Sequence, residues 1–281
     1  MKRIVLFLAV LVLLPVCCSA ASAPQKKITV STVQEFLDAL GDDRIITLNE
    51  SMFLLTPVIQ ENREALERKP GKGPKVFFVE ETDGPELHIA NMKNLTIEAG
   101  IDIVQVLSEP RYANVISFDN CTDLKIKGVT FGHTDEGYCS QGVLGFYGCE
   151  DVSLERCDLF GCGTEGIIVE ECEDFEMSAC KIRDCSYHIM HLSESINVTF
   201  KDCQFFRNRE FTLVNVSVCS NVTFRNCMFA NNTGPLFSVE SKIVLYDCVI
   251  LHQEWETGIN DKVILINCIT EDLFNNGQAL G

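Results

Sequence analysis

Seven side chains in this sequence could handle protons. His133, Asp135, Glu136 and Tyr138 crowd into one short stretch, Glu165 follows, and His188 and His191 come later. Imidazoles beside carboxylates, with a phenol close by, are suited to general acid–base work. Their spacing is as telling as their types. Glu165 and His188 lie 23 residues apart, an interval that recurs along the second half of the chain. As a structural period, it puts Glu165 and His188 in matching slots one repeat apart, and His191 on the same strand face as Ile168 and Gly145. Taken singly, each is also what an ordinary solvent-facing polar residue looks like. Their value depends on the elements that position them.

Those elements form a repeat. Cys149-Glu-Asp-Val-Ser-Leu-Glu-Arg-Cys157 returns as Cys172-Glu-Asp-Phe-Glu-Met-Ser-Ala-Cys180 and as Cys219-Ser-Asn-Val-Thr-Phe-Arg-Asn-Cys227. The second cysteine stands at Cys157, Cys180, Cys203, Cys227, Cys248 and Cys268, in steps of 23, 23, 24, 21 and 20 residues. Val129 and Gly100 take its slot upstream. Five residues earlier come Leu124, Val152, Phe175, Val198, Val222, Ile243 and Val263; three earlier, Ile126, Leu154, Met177, Phe200, Phe224, Leu245 and Leu265. Mostly polar residues separate these rows, so each segment reads as a strand with one buried face. A third apolar row, Phe131, Leu159, Ile182, Phe205, Phe229 and Ile250, follows the anchor and fades at Thr270. Asp123, Asp151, Asp174, Asn197 and Asn221 precede the strands, and Asx residues tolerate the left-handed turn conformation. No crossover helix fits between repeats, so each coil must stack in parallel on the last.

Apolar columns, an Asx turn column and coils of about 23 residues resemble the right-handed parallel β-helix, of pectin-lyase-like architecture. Gly145-Phe-Tyr-Gly-Cys-Glu-Asp-Val and Leu159-Phe-Gly-Cys-Gly-Thr-Glu-Gly resemble phrases of secreted bacterial proteins with such repeats. The leucine-rich repeat, a competing solenoid, lacks its consensus here. The expected fold is therefore all-β: a single-stranded solenoid of about seven or eight coils over residues 86–281. Its handedness is taken from the resemblance. A small α/β cap is expected at residues 24–85, because a solenoid end exposes strand edge and core that something must cover.

Residues 1–23 read as a secretory leader, with basic Lys2 and Arg3, an apolar run and Ala21-Ser22-Ala23 as the cleavage site. Leu14-Pro15-Val16-Cys17 is similar to a lipobox, so a lipid anchor is the alternative to free secretion. In the cap, Thr32 and Glu35 fit a capping box, with Gly41 as the stop. Residues 58–69 read as a second helix and Val76-Phe-Phe-Val79 as an early strand. About five extra residues fall within Thr130–Tyr138, which places His133, Asp135, Glu136 and Tyr138 on an inserted loop.

The formal net charge is −17, or −19 once Lys2 and Arg3 leave with the leader. Such a surface repels nucleic acid and anionic lipid, and the apolar run in the leader is too short to span a bilayer. Fifteen cysteines, less the two in the leader, leave an odd number. Stacked equivalents stand about 4.8 Å apart with parallel side chains, a poor fit to a disulfide. The anchor column therefore reads as small buried hydrophobes filling a corner. Cys139, Cys162 and Cys185 with His188 make a ligand set on paper, but a linear column is the wrong shape for tetrahedral zinc. No cofactor is assigned. Calcium is the one ion that Glu170, Glu171, Glu173, Asp174 and Glu176 could hold, although alternation splits them between faces. Seven glycosylation sequons occur, and Asn197 and Asn221 follow automatically from an Asx turn feeding a strand.

The resemblance implies action on, or binding to, polysaccharide in a groove along one face. Of the polygalacturonase pattern only Gly132-His133-Thr134 is present, and the pectate lyase pattern is missing. The first functional reading is thus an exported or cell-surface protein whose solenoid face binds glycan or another surface partner. The second is a polysaccharide lyase or glycoside hydrolase that uses the seven residues above. A structural spacer is the third.

Overall fold

The computed structural model describes residues 24–64, 66, 72–135, 141–161, 165–209, 212–252 and 259–272. Among them the strands form three sheets, of ten, nine and eight strands. From Arg44 to Val239 each coil visits the three sheets in turn. Glu150–Glu155 lies in the ten-stranded sheet, Asp158–Phe160 in the nine-stranded and Glu165–Glu170 in the eight-stranded. Glu173–Ser178 then opens the next coil, parallel to Glu150–Glu155. This is a parallel β-helix.

The apolar rows become stacked columns. Val152, Phe175, Val198, Val222, Ile243 and Val263 are register partners in sequence, and all are buried. Phenylalanines form ladders inside, as Phe118 on Phe146 with ring centroids 5.2 Å apart and Phe200 on Phe224 at 4.8 Å. Each buried ring contributes roughly 1.5–3 kcal/mol through area alone, and stacking makes a run of coils cohere.

The corners rest on single left-handed residues. The expected Asx column, Asp123, Asp151, Asp174, Asn197 and Asn221, has φ of 54–58°, and Asn94 extends it upstream with φ of 52°. Asn197 donates to Asp174 and Asn221 to Asn197, at 2.8 and 2.7 Å, so the turn is also a hydrogen-bonded ladder. A second left-handed column directly precedes the anchor cysteines and includes Arg156 and Ala179, types that avoid this region.

Two thiol columns fill the inner side of these corners. Cys121, Cys149 and Cys172 make one, continued by Ser195; Cys157, Cys180, Cys203, Cys227, Cys248 and Cys268 make the other. The described cysteines are free thiols, buried except for the partly exposed Cys219 and Cys268. They also do polar work that hydrophobic filling does not require. Cys121 N–H donates to Cys149 Sγ and Cys149 N–H to Cys172 Sγ. Thiols such as Cys180 and Cys203 donate to carbonyls of the preceding coil.

The first strands are already part of the helix. Lys26–Val30 pairs in parallel with Arg44–Leu48, which pairs with Lys93–Ala99. Parallel stacking therefore begins inside the region expected to be only a cap. The boundary expected at residues 85/86 falls within an antiparallel hairpin, Lys75–Glu81 with Gly84–Ala90. The helix Val33–Ala39 starts at Thr32, whose side chain accepts from Glu35 N–H. The reciprocal Glu35 contact goes to Ser31 N–H, and Leu40 rather than Gly41 ends the helix. The second helix is Leu55–Glu61, three residues earlier than the pattern suggests. The leader lies outside the described residues. No helix among the described residues is long and apolar enough to cross a membrane.

Candidate functional site

The eight-stranded sheet carries the site on its outer face. Along its strands, Leu87, Ile116, Leu144, Ile167, Met190 and Val214 are buried register partners. Alternation turns the next row outward: His88, Ser117, Gly145, Ile168, His191 and Asn215. Two residues further on come Ala90, Asp119, Tyr147, Glu170, Ser193 and Ser217. At the strand entrances Gly142, Glu165 and His188 are partners.

Glu165, His188 and His191 meet. Glu165 Oε1 is 3.2 Å from His188 Nδ1 and 3.7 Å from His191 Nδ1. Tyr187 packs edge-on against the His188 ring at 4.7 Å. Glu165 is buried, and burial alone raises its pKa, but His188 and His191 together override that and hold it below the ordinary carboxylate range. Hydrogen bonding to Glu165 raises His191. The His191 side chain is 35% exposed, so an imidazole backed by a carboxylate is presented to solvent. Gly142 makes room for this: a Cβ there would lie 2.2 Å from the Glu165 carbonyl oxygen.

A second polar cluster adjoins it. His88 Nδ1 lies 2.7 Å from Asp119 Oδ2, and its Nε2 lies 3.3 Å from Glu86 Oε1. Two carboxylates outweigh burial and push His88 up to about 9. The Glu86 carboxylate also accepts from Asn114 N–H at 2.8 Å, Asn114 Nδ2 at 3.1 Å and Ser117 Oγ at 2.5 Å. Asn114 Nδ2 reaches the Tyr147 hydroxyl at 3.3 Å, and Asn114 Oδ1 accepts from Gly142 N–H at 2.8 Å. Burial pushes the Tyr147 phenol up. The buried network thus props both Tyr147 and the strand beside Glu165. The 23-residue period could not find these residues. His88 and Ser117 are partners 29 positions apart, and Ser117 and Gly145 are 28 apart.

The remaining sequence candidates divide. His133 is not on an inserted loop. It ends the strand Thr130–His133, paired with Ser108, and is only 3% exposed. Its Nε2 lies 2.9 Å from Ala113 O and its Nδ1 3.2 Å from Gly161 O, and burial pushes its pKa down. Both partners are carbonyl acceptors and a neutral ring donates from one nitrogen only, so His133 bonds one of them at a time, and either bond ties it to a neighbouring coil. Asp135 is exposed just beyond that strand. Glu136, Tyr138, Cys139 and Cys162 lie outside the described residues. The acidic run 170–176 turns a corner, with Glu170 on the eight-stranded sheet and Glu173, Asp174 and Glu176 on the ten-stranded.

Three sheets wound coil upon coil, parallel except for one antiparallel hairpin at an edge, define a parallel β-helix protein. The chain belongs to the right-handed β-helix family, whose model for the right handed beta helix region matches residues 114–277. No curated protein matches the sequence. Among solved structures, an alginate lyase from Paenibacillus sp. str. FPU-7 is similar with a TM-score of 0.50 at 8% identity, over 87% of this chain and 98% of that one. PfbA, a surface adhesin of Streptococcus pneumoniae, aligns with a TM-score of 0.44 at 12% identity, over 87% of this chain and 74% of the other. The enzymatically active domain of bacteriophage CBA120 tailspike protein 2 aligns at 0.31 and 12% identity, over 78% of this chain and 44% of the other. At these identities the likeness concerns the fold alone.

Proposed function

We propose that the protein is exported and binds a polysaccharide chain along the outer face of the eight-stranded sheet. The observation that carries this reading is the register of that face. Ser117, Gly145, Ile168, His191 and Asn215 repeat coil by coil, flanked by Asp119, Tyr147, Glu170, Ser193 and Ser217. Neighbouring coils stand about 4.8 Å apart, close to the length of one sugar unit in an extended polysaccharide. A polymer lying across the strands would meet one column position per coil at each unit, and the polar side chains within its reach are Asp119, Tyr147, Glu170, His191, Asn215 and Ser217. Backed by a packed ladder, the face is rigid before binding, which lowers the ordering cost. The test is affinity electrophoresis against a polysaccharide panel, with Tyr147→Ala and His191→Ala as probes of the face. Retardation by a polymer that both variants abolish supports the reading. Retardation indifferent to both substitutions, or none with any polymer, overturns it.

A second reading, an enzyme acting on the bound chain, is favoured by one observation. The partly exposed His191 is backed by Glu165, which is the geometry of an acid–base group. Chain shortening by wild type, absent in Glu165→Gln and His191→Ala, would establish it.

A further inference from the structure

Resting on the binding reading above, we infer that the glycan this face takes carries no carboxylate or sulfate groups. The three outward columns present carboxylates at Asp119, Glu165 and Glu170, with Glu86 directly behind them. Lys75, the partner of Ala90 on the edge strand, is the one lysine or arginine at a described column position, and the columns from Ser117 to Ser238 hold none. Arg111 and Arg209 belong to loops that enter the sheet, not to the columns. In the coils beyond the edge hairpin, the carboxylates Asp119, Glu165 and Glu170 outnumber the two imidazoles, His188 and His191. His88 is moreover held between Asp119 and Glu86, at 2.7 and 3.3 Å. A polyuronate laid along the columns would bring a like charge to the face at nearly every coil, within the Debye length of about 8 Å at physiological salt. The chain's −17 charge adds to the repulsion at longer range.

The same face suits an uncharged sugar. Its carboxylates and side-chain oxygens accept from hydroxyl donors, and charge-assisted bonds of this kind are the stronger ones. At its centre is an apolar floor. The Tyr147 ring occupies the space over Gly145, where a Cβ would lie 2.6 Å from Tyr147 Cε2, and Ile168 follows in the same column. A ring edge and an isoleucine beside fixed polar groups are the mix that ligand sites use. The chemistry also narrows the enzymatic alternative. β-Elimination needs a uronate, whose carboxyl group acidifies the neighbouring C–H. On an uncharged polymer, hydrolysis is the reaction left for His191 and Glu165.

The experiment measures affinity of the full chain, without its leader, for β-glucan, mannan and chitin oligosaccharides, and for alginate and polygalacturonate. Each is run at about 20 mM and about 500 mM salt. The expected result is binding to at least one uncharged glycan, lost in Tyr147→Ala, with the polyuronates at least about tenfold weaker and the gap narrowing in high salt. Should Tyr147→Ala not fold, His191→Ala reports on the same face. The double variant Glu165→Gln/Glu170→Gln should gain affinity for polyuronate. A polyuronate that binds wild type as tightly as the best uncharged glycan, and through Tyr147, overturns the inference while leaving the binding reading intact. So does a double variant with no gain. Binding to no polymer overturns the reading itself.

Discussion

Glu165 and His188 stand 23 residues apart in sequence and 3.2 Å apart in space, Oε1 to Nδ1, because each opens a strand in successive coils. The solenoid turns a sequence interval into a contact. The same carboxylate also holds His191 at 3.7 Å, so one side chain organises two imidazoles.

Replacing Glu165 with Gln should lower the pKa of His191, because hydrogen bonding and charge from Glu165 are what raise it. Histidine titration by NMR checks this. The sign for stability follows. The His191 contribution is present below its unfolded value and fades as pH rises through the raised folded value. The Glu165 contribution is present above its unfolded value and fades as pH falls through the lowered folded one. The variant should lose both dependences.

His88 gives the clearest pH window. Its folded pKa of about 9 exceeds the ordinary 6.5. The stabilisation it provides is complete below about pH 6.5 and disappears as pH rises through about 9. Denaturation midpoints measured from pH 6 to pH 10 should fall across that window. His88→Ala leaves Glu86 and Asp119 without their cation and should cost about 3 kcal/mol at neutral pH. A midpoint that is level with pH in wild type would contradict the assignment.

Gly142→Ala should destabilise by about 1–3 kcal/mol, since the new methyl meets the Glu165 backbone oxygen rather than a movable side chain. Urea unfolding measures the loss, and the His191 titration should shift in the same variant because Glu165 moves.

Val218 predicts the opposite sign. It is β-branched, exposed and left-handed, with φ of 52°. Val218→Gly or Val218→Asn should stabilise by about 1 kcal/mol, read as a raised Tm.

The thiol column predicts a contrast of substitutions. Ser195 already takes a cysteine's place and accepts Cys172 N–H at 3.0 Å. Cys149→Ser should therefore be tolerated within about 1 kcal/mol, whereas Cys149→Val strips Cys121 N–H of its acceptor and should cost about 1–3 kcal/mol. Among the described cysteines, alkylation of native protein should reach Cys219 and Cys268 first, as read by mass spectrometry.

Local rules written into the chain determined the coil. Alternation set which side chains face inward, the recurring period set which of them stack, and Asx residues marked the turn from Asp123 to Asn221. Glu165, His188 and His191 were legible because their coils keep the 23-residue step. Tertiary structure decided the rest. Arg156, Ala179 and Val218 adopt the left-handed conformation because a corner must form there whatever residue occupies it, and packed coils on both sides outweigh a local preference of about 1–2 kcal/mol. His133 is inside because the strand Thr130–His133 extends further than the period implied. The Glu86–His88–Asp119 network escaped the pattern because the early coils are 28 and 29 residues long, and only the folded register shows which positions those longer coils bring together.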